Sequence, residues 1–276
     1  MGKIDFFLHG TTVGLNSLLE RKGSKVGLIC TKGFRDVLEI RRGDRDEMYN
    51  LFWQPPPPLV PRFLRLEIEE RLFADGTVHI PINVDQIKDA CNFFIQEGVN
   101  SIAVAFINSY TNKKHEVMVE KELRKLDFKG QISLSSMVSG EYREYERTTT
   151  TVIDAFVKTR MSNYLNNLKK ELNLLGFKGS FLVTRSGSGS MTFDEAEDRP
   201  FETIMSGPVA GAEGAGELSR KLGNKNLVKG YDAIMVLHSM FNQMNEMMKA
   251  RERLDKMLFK QAQRYYSNFK DINSAF

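Results

Sequence analysis

The sequence predicts an α/β fold, on three observations. Short apolar runs alternate with amphipathic stretches of helical spacing along most of the chain. Ser101-Ile102-Ala103-Val104-Ala105-Phe106-Ile107 is a continuous apolar run, the pattern of a strand covered on both faces. From about Thr151 to Leu175 the residues Val152, Ile153, Phe156, Met161, Leu165, Leu168 and Leu172 recur at helical spacing and predict a long helix.

The elements follow in order. Ile4 to Leu8 reads as a buried strand ending at His9-Gly10. Thr11-Thr12 offers a cap for a helix through Leu15, Leu18 and Leu19, with a stop at Gly23. Val26 to Cys30 is the next strand, and Gly33 to Ile40 a short helix. A charged loop, Arg41 to Glu47, could bind an ion through Asp44, Asp46 and Glu47, though a solvated loop explains it as well. Pro55 to Pro58 cannot enter a helix or central strand and predict a stiff connector. Leu64, Leu66 and Ile68 alternate with charges, Asp75-Gly76 turns the chain, and Val78 and Ile80 alternate again, which predicts a β-hairpin. Asn83 caps a helix to Gly98; a helix over Lys113 to Leu126, a strand at Ile132 to Ser135 and a strand at Phe181 to Val183 follow. Arg185 to Met191 reads as a Gly/Ser loop, and a further helix begins near Ser206.

The chain has 276 residues, about two domains in length. With 41% hydrophobic and 27% charged residues it is an ordinary globular composition, not a disordered or collagen-like one. No window resembles a membrane span, and the first residues lack the apolar core of a signal peptide. Cys30 and Cys91 lie in apolar segments and read as reduced core thiols of a cytoplasmic protein. Residues 229–276 carry eight basic against five acidic residues, which leaves the first 228 residues one positive charge out of a total of +4. That is too little for a nucleic-acid surface. The same tail holds six of the thirteen methionines, and Met240, Met244, Met247, Leu254 and Leu258 form a stripe that predicts a helix over about 239–268, poorly packed on the body.

Several segments are candidates for chemistry. His9, Gly10, Thr11 and Thr12 lie between a strand and a helix, where backbone N–H groups attract anions; a tight turn with a threonine cap is the alternative. From Ser206 to Gly216, small residues recur at Gly207, Ala210, Gly211 and Gly214, beside Pro208. They make a smooth helix face for a flat ligand or for another backbone, on which leucine at Gly211 is expected to overpack. Arg185 to Ser190 could cradle a phosphate or be a surface turn, and lacks the Gly-Lys-Ser/Thr ending of a P-loop. Arg143 and Arg147, among Glu141 to Thr148, could hold a carboxylate or phosphate; a solvated helix start is the alternative. His79, His115 and His238 show no zinc spacing. No catalytic residue stands out, and no metal ligand.

His9-Gly10-Thr11-Thr12-Val13, Leu18-Leu19-Glu20-Arg21-Lys22-Gly23, Thr31-Lys32-Gly33-Phe34-Arg35-Asp36-Val37-Leu38-Glu39-Ile40, Tyr142-Arg143-Glu144-Tyr145-Glu146-Arg147-Thr148 and Ser206-Gly207-Pro208-Val209-Ala210-Gly211 occur in this order. Over residues 4–228 the chain resembles the hydantoinase/oxoprolinase A family, which includes N-methylhydantoinase A subunits, 5-oxoprolinase and the acetone carboxylase β-subunit. Phe6-Phe7-Leu8-His9 and Phe201-Glu202-Thr203-Ile204-Met205 are most similar to the acetone carboxylase branch.

The resemblance implies an N-terminal hydantoinase/oxoprolinase-type α/β domain over 1–147, the start of an actin-like ATPase domain over 148–228, and a helical tail over 229–276 unlike the family. It implies that ATP, escorted by Mg²⁺, phosphorylates an amide or enol oxygen of a cyclic amide or ketone for hydrolysis or carboxylation. His9, Gly10, Thr11, Thr12, Gly207, Pro208, Ala210, Gly211 and Gly214 become the candidate cofactor-binding residues. Neither Asp-x-Gly-Gly-Thr phosphate loop of the family occurs here; after Asn226-Leu227-Val228 the chain reads Lys229-Gly230-Tyr231-Asp232. The expectation is a fragment that binds ATP weakly and is inactive alone, working with other subunits or the missing segments, in the cytoplasm, with neither nucleic acid nor membrane as partner. The competing expectation is a non-catalytic interaction module whose tail helix pairs with another chain.

Overall fold

A computed structural model describes residues 4–222, apart from Asp44, Asp46 and Ser188. The expected tail helix lies outside the described residues.

The chain runs β1 (Phe6–His9), α1 (Val13–Leu19), β2 (Val26–Thr31), α2 (Val37–Ile40), a 3₁₀ turn at Arg62–Leu64, β3 (Arg65–Ile68), β4 (Arg71–Leu72), β5 (Val78–Ile80), α3 (Val84–Gln96), β6 (Ser101–Ala105), α4 (Lys114–Lys125), β7 (Gln131–Leu134), α5 (Ser135–Val138), α6 (Glu144–Leu174), β8 (Ser180–Thr184), β9 (Ser190–Thr192), α7 (Phe193–Asp198), a 3₁₀ turn at Pro200–Thr203 and α8 (Ser206–Leu222). The fold is mixed α/β, as expected.

Two sheets organise it. The larger has the order β3-β2-β6-β7, parallel throughout. β2 and β6 are buried at every position, which is why their sequences are apolar without alternation. Gly27 lets the Phe94 ring lie against β2: a Cβ there would come within 2.6 Å of it. The smaller sheet has the order β1-β8-β9, with β1 and β8 parallel and β9 antiparallel.

α6 joins the two. Its Val152, Ala155, Phe156 and Val157 belong to the core under the larger sheet. Farther along, Met161 and Leu165 belong to the core under the smaller one, with Val183, Met191 and Phe193. The buried Asp154, where α6 passes between them, accepts from Ser133 Oγ at 2.6 Å and from Phe201 N–H at 3.2 Å. The division at 147/148 falls in the first turn of this helix.

Asn83 caps α3 as its sequence suggests, accepting from Gln86 N–H at 3.3 Å, and Gly98 takes φ +66° at the other end. Four expectations are corrected. The Leu64 to Ile68 alternation is not a hairpin arm: it joins the larger sheet as β3, and the hairpin is β4 with β5 around Asp75-Gly76. α6 begins at Glu144, not near Thr151. Part of the expected Gly/Ser loop is β9, pairing back on β8. Thr12 precedes α1 without a side-chain capping bond; instead Thr11 Oγ1 accepts from Val13 N–H at 3.2 Å.

Candidate functional site

The first expected segment sits where β1 ends. In a sheet of parallel strands the carboxyl ends face the loops that bind ligands. Here His9-Gly10-Thr11-Thr12 meets the start of α8. Ser206, fully buried, accepts from Thr11 N–H at 3.0 Å and donates to the Thr11 carbonyl at 3.0 Å. Gly207 N–H donates to that carbonyl at 3.2 Å, and the Thr184 hydroxyl donates to the Ser206 carbonyl at 2.9 Å.

The glycines explain the approach. A Cβ on Gly10 would come within 3.0 Å of Ala210 Cβ, and one on Gly207 within 3.0 Å of Thr12 Cγ2. So the structure brings Gly10, Thr11 and Thr12 against Gly207 and Ala210, 195 residues apart in sequence between Thr11 and Ser206, while His9 lies beside them on β1. Pro208 lies in the same first turn of α8, half-buried. Gly211 and Gly214 do not join the junction: nothing lies within 4 Å of a Cβ placed at either. Among the described residues nothing stands in the way of a leucine at Gly211, against the expectation that it overpacks, and that face of α8 is uncovered.

His9 Nε2 shares a 2.6 Å hydrogen bond with Tyr164 Oη, from α6. Burial lowers the His9 pKa from its ordinary value, so the ring is neutral near pH 7. The Arg185 to Ser190 loop is tied down beside this junction. Ser186 N–H donates to the Glu202 carbonyl at 2.6 Å, Ser186 Oγ accepts from Met205 N–H at 3.0 Å, and Arg185 pairs with Glu202.

The second polar centre lies at the carboxyl ends of the larger sheet, and sequence reasoning largely missed it. Buried Glu70 follows β3. It takes a hydrogen bond from the Thr31 hydroxyl and pairs with His115 Nδ1 at 2.7 Å. Buried Glu116 accepts from Phe106 N–H at 3.0 Å, from Ser135 Oγ at 2.6 Å and from Ser136 N–H at 2.8 Å. Arg147, fully buried, donates to the carbonyls of Phe106 at 2.8 Å and Glu141 at 2.7 Å, pairs with Glu144, and lies over the Tyr110 ring at 5.4 Å. Burial raises the Glu144 pKa, while the Arg147 charge opposes the rise. The reading of Glu141 to Thr148 as a solvated helix start is corrected at Arg147: its carboxylate is the neighbouring Glu144. It holds at Arg143, which is exposed against Tyr142.

Glu70, Glu116 and Glu144 gave no signal beyond a charge in an amphipathic stretch. Their partners lie 10 to 45 residues away, except for Glu144 and Arg147. Among the described residues no group of three or more His, Cys, Asp and Glu could hold a metal ion, and no helix is long and apolar enough to cross a membrane. Asp44 and Asp46 of the expected ion loop lie outside the described residues. Cys30 and Cys91 are free and buried; burial pushes the Cys30 thiol up to about 12, so it is inert.

Comparison with known proteins fits this geometry. Residues 1–127 match the family model for the hydantoinase/oxoprolinase N-terminal region, and residues 147–230 match that for hydantoinase/oxoprolinase. An uncharacterized protein of Methanocaldococcus jannaschii is 38% identical over 233 residues, 83% of this chain and 34% of that protein. The crystal structure of ATP-dependent caprolactamase from Pseudomonas jessenii superposes with a TM-score of 0.73 at 31% identity, over 80% of this chain and 32% of that one. Acetone carboxylase, solved nucleotide-free, gives a TM-score of 0.69 at 28% identity, over 78% and 32%. The last two lie close together and do not set the acetone carboxylase branch apart. The chain spans about a third of the length of these relatives. With both family models matched in sequence order and the fold shared, the chain belongs to the hydantoinase/oxoprolinase family.

Proposed function

We propose that the chain forms one wall of a nucleotide site in an ATP-dependent enzyme that activates an amide or enol oxygen for hydrolysis or carboxylation. The observation that carries this reading is the meeting of Gly10, Thr11 and Thr12 with Gly207 and Ala210, which among the described residues leaves the Gly211 and Gly214 face of α8 uncovered. A flat ring can lie on that face. Bound ATP, with Mg²⁺ on its phosphates, supplies a phosphoryl group that makes such an oxygen reactive.

The fit is partial. Gly211 and Gly214 leave room for a base, and Thr12 presents an exposed hydroxyl. The N–H groups of Thr11 and Gly207 are already bonded within the junction. Donors for the phosphates must come from further segments or subunits that carry the Asp-x-Gly-Gly-Thr loops, in an actin-like arrangement in the cytoplasm. On this reading residues 148–228 begin the ATPase half, residues 1–147 serve the substrate, a cyclic amide or ketone, and the isolated chain is inactive.

Ligand-observed NMR and calorimetry test it. Adenosine and Mg²⁺-ATP are expected to bind the chain with similar, weak affinity. Gly211→Leu is expected to abolish both without lowering the melting temperature, because the site is open and leucine suits a helix better than glycine by ~1 kcal/mol. Micromolar ATP binding would show that the phosphates are held within the chain and would overturn the reading; so would no adenosine binding.

One observation favours a second reading, an interface with a partner. Tyr49, Leu51 and Phe52 are 94%, 90% and 89% exposed, just before the proline run. Replacing Leu51 and Phe52 by serine is expected to leave the melting temperature unchanged and to reduce self-association or subunit binding in light scattering; unchanged association removes this reading.

A further inference from the structure

The smaller sheet is covered on one face and bare on the other. Phe7, Phe181, Val183 and Met191 turn toward α6 and join the core there. Their neighbours along each strand point the opposite way. On that side Phe6 is paired with Ser180, Leu8 with Leu182, Leu182 with Thr192 and Thr184 with Ser190. Thr184, at the carboxyl end of β8, is buried where its hydroxyl donates to the Ser206 carbonyl at the start of α8. Along β1 the face is uncovered among the described residues: Ile4 is 50%, Phe6 65% and Leu8 55% exposed. None of the strand residues on this face is charged.

β1 is also an edge: it pairs with β8 and with no other strand among the described residues. The Asp5 carbonyl accepts from Ser180 N–H at 2.9 Å. Asp5, Phe7 and His9 therefore turn their backbone groups to β8, and Ile4, Phe6 and Leu8 turn theirs to the bare edge. The same three residues thus carry the unpaired backbone groups and the exposed apolar side chains. Edges are usually blunted by a lysine, a proline or a bulge. Ile4 to His9 contain neither lysine nor proline, and the β1–β8 register runs without a bulge. The segment is moreover its own complement. In two copies run antiparallel about a two-fold axis at Phe6, Phe6 falls opposite Phe6 and Ile4 opposite Leu8, all on one face. Every outward N–H and C=O of the three then finds a partner. Moving the axis by one residue sets Leu8 against Gly2 or Ile4 against Gly10. A face without charge gives an oppositely charged partner nothing to pair with, and a second copy nothing to repel.

We infer that the free edge and bare face of β1 form a docking surface for a second copy of this chain, paired antiparallel through Ile4, Phe6 and Leu8. The two smaller sheets become one continuous sheet across the two-fold axis. Three side chains and one short strand a side bury less than the ~800 Å² per partner of a stable complex, so the dimer is weak and reversible. The surface uses neither the Gly211 face of α8 nor the aromatic residues before the proline run, so its failure would leave both earlier readings untouched.

Sedimentation of the full chain from micromolar to millimolar concentration tests it, together with amide hydrogen exchange followed by NMR. Reversible exchange between monomer and dimer is expected. Phe6→Lys and Leu8→Lys are each expected to weaken dimerisation by about tenfold or more, at an unchanged melting temperature because both side chains are exposed. The dimer is expected to persist when Leu51 and Phe52 are replaced by serine. The amides of Phe6 and Leu8 are expected to exchange more slowly as concentration rises, while those of Phe7 and His9, turned to β8, do not change. A chain that stays monomeric to millimolar concentration overturns the inference, as does a dimer that survives both lysine variants. Phe6 and Leu8 amides protected in the monomer would show that the edge is covered within one chain, and would overturn it too. If neither lysine variant folds, exchange at Phe6 and Leu8 that is independent of concentration overturns it.

Discussion

The polar centre at the larger sheet and the junction at the smaller one solve opposite problems. At the larger sheet, charged side chains are buried and every acid is matched: Glu70 by Thr31 and His115, Glu116 by two N–H groups and Ser135, Glu144 by Arg147. At the smaller sheet there is almost no charge. Glycines and small hydroxyls let two backbones touch, and Ser206 serves as donor and acceptor to Thr11. The first centre therefore holds its own structure together and has little left to offer a ligand. The second keeps an exposed hydroxyl and an open helix face.

The largest effect that would break this comparison is at Arg147. Arg147→Met leaves the half-buried Glu144 and the carbonyls of Phe106 and Glu141 without their donor. A loss of about 3–5 kcal/mol is expected in urea unfolding. A loss under about 1 kcal/mol would mean that this centre is not structural, and the contrast would fall.

Next comes Gly207→Val. A Cβ there comes within 3.0 Å of Thr12 Cγ2 and 3.2 Å of the Thr11 carbonyl oxygen, closer than ordinary contact, so overpacking is expected to cost about 1–3 kcal/mol. Gly211→Leu, one turn on and with nothing in contact among the described residues, is expected to cost nothing. Equal effects at the two positions would erase the distinction between a closed junction and an open face.

The smallest effect is electrostatic. Burial lowers the His9 pKa, so between that lowered value and the ordinary 6.5 the unfolded chain binds the more protons. Stability is therefore present in full above 6.5 and declines as pH falls through the window. His9→Gln, which can still bond to Tyr164, is expected to flatten that decline in urea midpoints measured between pH 5 and 7, roughly the range of an ordinary histidine. An unchanged slope would show that the ring titrates freely and that the junction is more open than described.

The two centres also differ in how far the sequence discloses them. The junction is written in contiguous residues. Gly10 and Gly207 announce close approach, and the recurrence of small residues marks one helix face, though only packing distinguishes Gly207, which is closed in, from Gly211, which is not. The network at the larger sheet is written in residues that look unremarkable alone. Glu116 sits in an amphipathic helix with a charged outer face, and its role depends on β6 and α5 arriving beside it. Spacing along the chain carries no record of that. Strand β3 departs from the expected hairpin for the same reason: alternation shows a strand but not its partner, which here is β2. The parallel core was plain because strands buried on both faces must be apolar throughout.

α6 is 31 residues long, roughly 46 Å of continuous helix. Its near half closes one core and its far half the other, with the buried Asp154 between them bonded to Ser133 on one side and Phe201 on the other. Neither sheet keeps a complete core once that rod melts. Two units distinguishable by sequence family are thereby welded into one cooperative system, and calorimetry is expected to register a single transition across the described residues, with no plateau at which one sheet survives the other.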